Sequence, residues 1–306
     1  MSQFKLGILT AILGDMTFEE AIHYAHSKGL DSVELACWPQ QKESRRYAGT
    51  SHFNAEDLSI ENIERVKHVL KQYHIEISSL GYYPNPLDPD PVKAQQAISH
   101  IKKLIYAASA LGIHQITTFI GRNKYLSHAE NMDLFVKTWK QIVELAEAYD
   151  VSIAIENCPM LFTYDEYPGG LNLATSPAIF EEMFKRIPNR NFGLNFDPSH
   201  FVWQQMDYIQ VLKQFKDRIF HIHIKDALVD REKLNHYGIL VPPLHYMSPK
   251  LPGLGEINWK AFFKTLKEIG YSGHYIIEFE DKAFEDSFEK IDQGITQSIH
   301  YIRNIQ

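Results

Sequence analysis

Residues 151–197 read VSIAIENCPMLFTYDEYPGGLNLATSPAIFEEMFKRIPNRNFGLNFD. They hold one complete unit: a β-branched strand, a long loop, an amphipathic helix opened by Ser176 before Pro177, and a second strand. Strand candidates of the same kind recur outward from it at 5–10, 32–37, 75–80, 115–119, 218–224 and 273–279, which makes eight in all. Helix candidates between them begin near Thr17, Ser59, Val92, Met132, Pro177, Asp207, Asn258 and Phe284; Thr17 with Glu20 has the spacing of a capping box. Regular alternation of this sort marks a parallel α/β sheet. Eight β-then-α units over 306 residues fit a (β/α)8 TIM barrel, whereas an open doubly wound sheet uses roughly five or six strands. No linker or compositional break divides the chain, so residues 1–306 are expected to form a single domain.

Composition narrows the function classes. The chain is 44% hydrophobic and 23% charged, in the range of globular proteins that bury a full core. Lys plus Arg number 31 against 38 Asp plus Glu, a net charge of −7, so there is no electrostatic footprint for a nucleic acid. The start MSQFKLGILT lacks the pattern of a signal peptide and no apolar run approaches a membrane span. The expectation is a cytoplasmic protein with no membrane or nucleic-acid partner. Cys37 and Cys158 are far apart and without CxxC spacing, as suits reduced thiols.

Barrel strands alternate between interior and helix-facing side chains, so parity assigns each residue a side. Val151, Ile153 and Ile155 share the outer face, which turns Ala154 and Glu156 inward. Phe192, Leu194 and Phe196 leave Asn195 and Asp197 inward; Ile222 and Ile224 leave His221 and His223; Ile277 and Phe279 leave Glu278 and Glu280. Strands five to eight thus each deliver an ionisable group to the C-terminal mouth, where barrel enzymes keep their active sites. Three carboxylates and an imidazole repel or waste one another unless a cation binds them. Glu156, Asp197, His223 and Glu278 are therefore read as ligands of one divalent cation, Mn²⁺ first, with Mg²⁺, Co²⁺ or Zn²⁺ as alternatives. The competing reading is a buried structural network.

Further residues are expected at the edge of this site. His200, in DPSH, leaves the same strand as Asp197, and Lys225 follows the HIH of strand seven; both are candidate substrate contacts. Glu34, inward but below the exit, is read either as a substrate contact or as part of a core network, and His221 as a residue that orients its neighbour. Three strand-to-helix loops are long, at 38–58, 158–175 and 225–257, which suggests a lidded pocket. Trp38, Tyr82, Tyr83, Phe119, Phe162, Tyr164, Trp203 and Tyr246 lie near that mouth and are suited to stacking on a sugar or to packing the lid. The PGLGEIN turn has too few glycines to read as a phosphate cradle.

Five motifs in strand order, IAIENCP at 153–159, NFDPSH at 195–200, HIHIKD at 221–226, PGLGEINW at 252–259 and IIEFED at 276–281, resemble the xylose isomerase-like TIM-barrel superfamily of sugar isomerases and epimerases. The resemblance implies one divalent cation on Glu156, Asp197, His223 and Glu278, the set that parity selects. It also implies proton transfer next to a carbonyl of a ketose or related polyol, with Glu156 and Glu278 as the acid–base pair, and a homo-oligomer as a common assembly. The alternatives it leaves are a metal-dependent lyase or dehydratase acting on an inosose or a 3-oxo-glycoside, and a non-catalytic metal-bearing sugar-binding protein. The branch of this superfamily that acts on abasic DNA carries extra ligands for three zinc ions and a basic groove, neither of which is found here. The long segment after HIHIKD departs from the compact ketose 3-epimerases.

Overall fold

The computed structural model describes residues 4–39 and 49–306. Seven strands in chain order, β1 (Lys5–Leu9), β2 (Ser32–Ala36), β3 (Glu76–Gly81), β4 (Gln115–Thr118), β5 (Ser152–Glu156), β6 (Phe192–Phe196) and β7 (Ile219–Ile224), form consecutive parallel neighbours. A last strand, β10 (His274–Ile277), pairs with both β7 and β1 and closes the barrel. Between β7 and β10 lies an antiparallel hairpin outside the barrel, β8 (Asp226–Val229) with β9 (Met247–Lys250). The eight expected strands all form, each within two residues of its expected ends.

Helix starts follow local capping chemistry. α1 (Phe18–Ser27) opens with the Thr17/Glu20 capping box, and α2 (Ile60–Tyr73) and α3 (Pro91–Leu111) are capped by Ser59 and Asp90. α4 (His128–Ala148) begins four residues before the expected Met132, because Ser127 and Glu130 form a second capping box. At α5 (Pro177–Arg186) Ser176 occupies the cap position without a side-chain hydrogen bond, so Pro177 alone presets the first turn. α6 (Ser199–Trp203) and α7 (Tyr208–Gln214) follow β6; α8 (Arg231–Tyr237) sits in the hairpin loop; α9 (Trp259–Glu268) precedes β10 and α10 (Phe288–Ile305) ends the chain.

The parity assignment holds. Ile153, Ile155, Phe192, Leu194, Phe196, Ile222, Ile224 and Ile277 are buried in the layer between barrel and helices. At about 25 cal/mol per Å² of buried apolar surface, this layer is the main source of stability. The inward residues are polar and equally buried: Glu34, Thr117, Glu156, Asn195, Asp197, His221 and His223. Parallel pairing slips at two places, between Val33 and Glu34 on β2 and between Leu194 and Asn195 on β6. Both slips fall where a polar interior residue begins, and irregularities of this kind re-aim side chains.

The hairpin has no counterpart in the expected elements, where 225–257 reads as loop. Its root is Asp226, whose buried carboxylate accepts from the Ala227, Gly253 and Ile257 amides and from the Trp259 indole at 2.9 to 3.1 Å. Gly255 is required beside it, since a Cβ there would lie 2.2 Å from Asp226 Oδ1.

Candidate metal and substrate site

Four elements bring the candidate ligands to one point. Glu156 closes β5, Asp197 follows β6 directly, His223 is the fifth residue of β7 and Glu278 follows β10. One donor atom of each lies within 4.8 Å of all the others. His223 Nδ1 is 3.0 Å from Glu278 Oε2 and 3.6 Å from Glu156 Oε1. Such separations suit donors about 2.0–2.2 Å from a shared cation.

The state of the ligand atoms bears on the choice between a site and a network. Glu156 Oε1, Asp197 Oδ2 and His223 Nδ1 are buried without a well-aligned hydrogen bond, although Asp197 Oδ2 has the Lys225 ammonium at 3.0 Å and His200 Nε2 at 3.1 Å, and His223 Nδ1 faces Glu278 Oε2 at 3.0 Å. Buried polar atoms are almost always paired, because an unpaired one forfeits its hydration for nothing. Three such atoms converging on one point form a group that could hold a divalent cation, and the mixture of carboxylate and imidazole suits the metals named above.

Neighbouring groups hold Asp197, His223 and the Glu156 strand end in place. Asp197 Oδ1 accepts from the Ser199 amide at 2.8 Å at the head of α6, which leaves Oδ2 to face the site. Asn157 clamps the same strand end, donating to the Asp197 carbonyl and accepting from the Asp197 amide at 2.9 and 2.8 Å. Asn172 reaches from the β5–α5 loop to the Glu156 and Cys158 carbonyls at 2.9 and 2.8 Å. His223 Nε2 lies 2.6 Å from Glu34 Oε2. Glu34 in turn accepts from Thr117 Oγ1 at 2.6 Å and from the Tyr83 hydroxyl. With one imidazole proton held on Nε2 by Glu34, Nδ1 becomes a metal donor once a cation displaces its own proton.

Glu34 was expected at the substrate or in the core, and it is in the core. It is fully buried and does not line the cavity. Gly81 makes room for it, because a Cβ there would stand 2.5 Å from Glu34 Oε1. Burial alone would raise the Glu34 pKa, but the His223 charge and hydrogen bond, aided by His221 and Thr117, pull it to about 2. Burial lowers His223, and the Glu34 and Glu278 carboxylates more than reverse that, lifting it well above the ordinary histidine range. His221 is pushed down to about 3, chiefly by burial, and so is neutral. Its ring nitrogens contact Asn195 Oδ1 and Ser78 Oγ at 3.1 and 3.0 Å rather than His223 directly.

Lys225 stands closer than a substrate contact needs to. Its buried ammonium lies 3.0 Å from Asp197 Oδ2, 2.8 Å from Glu278 Oε2 and 3.2 Å from Glu280 Oε2. Burial would neutralise it, but Asp197, Glu278 and Glu280 raise its pKa well above the ordinary lysine value and hold it charged. Asp197 is in return held far below its usual range despite burial, chiefly by the Lys225 and His200 charges. His200 Nε2 is 3.1 Å from Asp197 Oδ2 and 3.6 Å from Glu156 Oε1, and with Cys158 it lines the same cavity. Glu156, Cys158 and His200 also converge, with the Lys225 ammonium 3.4 Å from His200 Nε2.

Above the ligands opens a cavity of about 610 Å³. Trp38, Tyr83, Phe119, Phe162 and Trp203 line it, and the Trp203 indole N–H is unpaired. Tyr82, Tyr164 and Tyr246 do not line it: Tyr82 packs on His100 at 4.7 Å, Tyr164 is on the outer surface and Tyr246 is buried under the hairpin. The residues missed by sequence reading are the supports, Thr117, Asn157 and Asn172, together with the position of Tyr83 behind Glu34. Only the inward parity of Thr117 signals any of them. Among the described residues no helix is long and apolar enough to cross a membrane.

Comparison with known proteins bears on the fold and the family. The chain belongs to the xylose isomerase-like TIM barrel family, whose sequence pattern it matches over residues 22–305. An uncharacterized Bacillus subtilis protein, YfiH, is 25% identical across 96% of this chain and 100% of its own length. Inosose dehydratase of Lacticaseibacillus casei is 32% identical, over 39% of this chain and 41% of that protein. Among solved structures, D-psicose 3-epimerase from Clostridium cellulolyticum superposes with a TM-score of 0.70 at 17% identity, covering 99% of both chains. The IolI protein solved with a bound zinc atom gives 0.70 at 19% identity, again over 99% of both chains. At such identities the superpositions speak for the barrel.

Proposed function

From membership of that family we propose that the protein is a divalent-metal-dependent sugar isomerase or epimerase that moves a proton at a carbon next to a carbonyl of a ketose or related polyol. The observation that carries the reading is the convergence of Glu156 Oε1, Asp197 Oδ2 and His223 Nδ1 at the base of a cavity, with Glu278 beside them. Glu156, Asp197, His223 and Glu278 would hold the cation, which when bound supplies Lewis-acid stabilisation of the negative charge that builds on oxygen.

The remaining work falls to the chain itself. Glu156 and Glu278 rise from β5 and β10, with β6 and β7 between them in the barrel, so they address a bound sugar from two sides. One removes the proton and the other returns it, a transfer typically worth about 10²–10⁴-fold. His200 and Lys225 bind hydroxyl or carbonyl oxygens and keep the anionic form from being lost to water. Trp38 and Phe119 offer aromatic faces to the apolar side of the ring.

A second reading, dehydration of an inosose or elimination from a 3-oxo-glycoside, is favoured by the local identity to inosose dehydratase. It uses the same base, with His200 or Lys225 close enough to protonate a departing hydroxyl. Incubation of the Mn²⁺-loaded protein with a ketose and inosose panel in D₂O separates the readings. Isomerisation puts deuterium on carbon and conserves the skeleton, while elimination loses the mass of water. Glu278→Gln is expected to abolish the exchange with metal still bound. Wild-type exchange in that variant, or no exchange with any substrate in the native protein, goes against the proposal and favours a sugar-binding protein without turnover.

A further inference from the structure

The cavity is built for more than a bare sugar. Pockets of about 300–1,000 Å³ bury drug-sized ligands, and at about 610 Å³ this one leaves space beyond a single pyranose ring held at the metal ligands. Its chemistry is divided in the same way. Glu156, His200, Lys225, Glu278 and Glu280 gather at the barrel end. Two loop arms contribute apolar side chains instead: Met160, Leu161 and Phe162 from the β5–α5 loop, and Pro243, Leu244 and Met247 from the β8–β9 hairpin. A monosaccharide carries hydroxyls all round and gains little from such walls, since each buried hydroxyl without a partner costs free energy.

The two arms meet. Tyr164, two residues beyond Phe162, packs on His245, next to Leu244, with ring centroids 5.6 Å apart, and Tyr237 packs on the same imidazole at 5.3 Å. Phe162 and Leu244 face this chamber yet remain 44% and 43% exposed. Large apolar groups that line a continuous cavity and stay wet are the signature of a ligand-covered surface. The hairpin that carries one arm is an insertion between β7 and α9, anchored by Asp226, and plays no part in closing the barrel.

We propose that Met160, Leu161, Phe162, Pro243, Leu244 and Met247 form an outer subsite for an apolar group, aromatic or alkyl, attached to the sugar bound at the metal ligands. The substrate class is then a 3-oxo-glycoside with an apolar aglycone, which keeps the carbonyl that proton removal needs, rather than a free monosaccharide. This rests on the sugar reading above for the identity of the polar half, while the apolar subsite stands on the two arms.

Titration calorimetry of the Mn²⁺-loaded protein with methyl and phenyl β-D-glucopyranoside tests it, with phenol as a third probe. Phenyl is expected to bind about tenfold or more tighter than methyl, as a hydrophobic pocket discriminates. Phe162→Ser with Leu244→Ser, both on the rim, is expected to bring that ratio close to one with metal content unchanged. A ratio near one in the native protein, a ratio untouched by the double substitution, or no binding of either aryl probe overturns the subsite. Phenol and phenyl glucoside binding equally, with the double substitution weakening both, keeps the subsite and removes the sugar reading instead.

Discussion

At the C-terminal mouth the two halves of the barrel treat their buried ionisable groups in different ways. On β2 to β4 and just beyond, Glu34, Ser78, Ser79, Tyr83 and Thr117 are buried and bonded to one another or to the histidines of β7. On β5 to β7, Glu156, Asp197 and His223 each keep one buried atom without a well-aligned hydrogen bond, and all three face the same point as Glu278. Glu34, His221 and His223 also converge like a metal site. What separates support from site is satisfaction of the donors, not clustering of ionisable residues. His223 joins the halves, with one nitrogen in each.

The sharpest way to break this distinction is through Lys225. In metal-free protein its ammonium is the charge that compensates Asp197 and Glu278, so Lys225→Met should cost about 3–5 kcal/mol of stability, as loss of one partner from a buried ion pair does. Bound Mn²⁺ should recover much of that loss. Denaturation of the variant with chelator and with Mn²⁺ makes the comparison, and an equal loss in both would show that the carboxylates do not await a cation.

Glu34→Gln tests the supporting half at smaller cost. A carboxylate holding a ligating histidine is worth about 10–100-fold in metal affinity, and competition against a chelating dye should register a fall in that range. Unchanged affinity would make Glu34 a packing residue only. Gly81→Ala probes the same contact by crowding, since the new Cβ would meet Glu34 Oε1 at 2.5 Å. It is expected to cost about 1–3 kcal/mol as overpacking does and to weaken metal binding in the same direction as Glu34→Gln. Instability with metal affinity intact would separate the two effects.

The smallest effect concerns a histidine remote from the ligands. Burial holds the pKa of His52 below its ordinary value, with the Leu13 and Met16 backbone only partly offsetting it. The unfolded chain takes up this proton near pH 6.5 and the folded chain does not. The unfolded state therefore binds more protons below that pH, and stability falls as pH drops from about 6.5 toward the lowered folded value. His52→Gln should flatten the slope of stability between pH 7 and 5, and an unchanged slope would assign it to other groups.

Much of this was legible in the chain because two signals are local. Alternation of VSIAIE, NFGLNF and IFHIHI fixes which residues face inward, and the same parity picks out Glu156, Asp197, His223 and Glu278. The hairpin was not legible: DALV and MSPK are four residues each, one contains a proline, and neither alternates cleanly. The supports were not legible either. Asn157 and Asn172 act through loop geometry 15 residues apart, and Tyr83 reaches Glu34 across 49 positions, distances over which no periodicity carries. Lys225 was read at the mouth as a substrate contact, but its ion pairs come from neighbouring strands, Asp197 after β6 and Glu278 and Glu280 after β10, which only the assembled barrel brings beside β7.

The central claim is that these converging atoms are metal ligands. Elemental analysis of the purified protein beside a Glu156→Ala/Asp197→Ala variant, both after Mn²⁺ loading and dialysis, tests it most directly. The account expects about one equivalent of divalent metal in the native protein and almost none in the variant, with the fold retained by circular dichroism. No metal in the native protein, or the same amount in both, would reduce the four-strand convergence to a charged network balanced by Lys225.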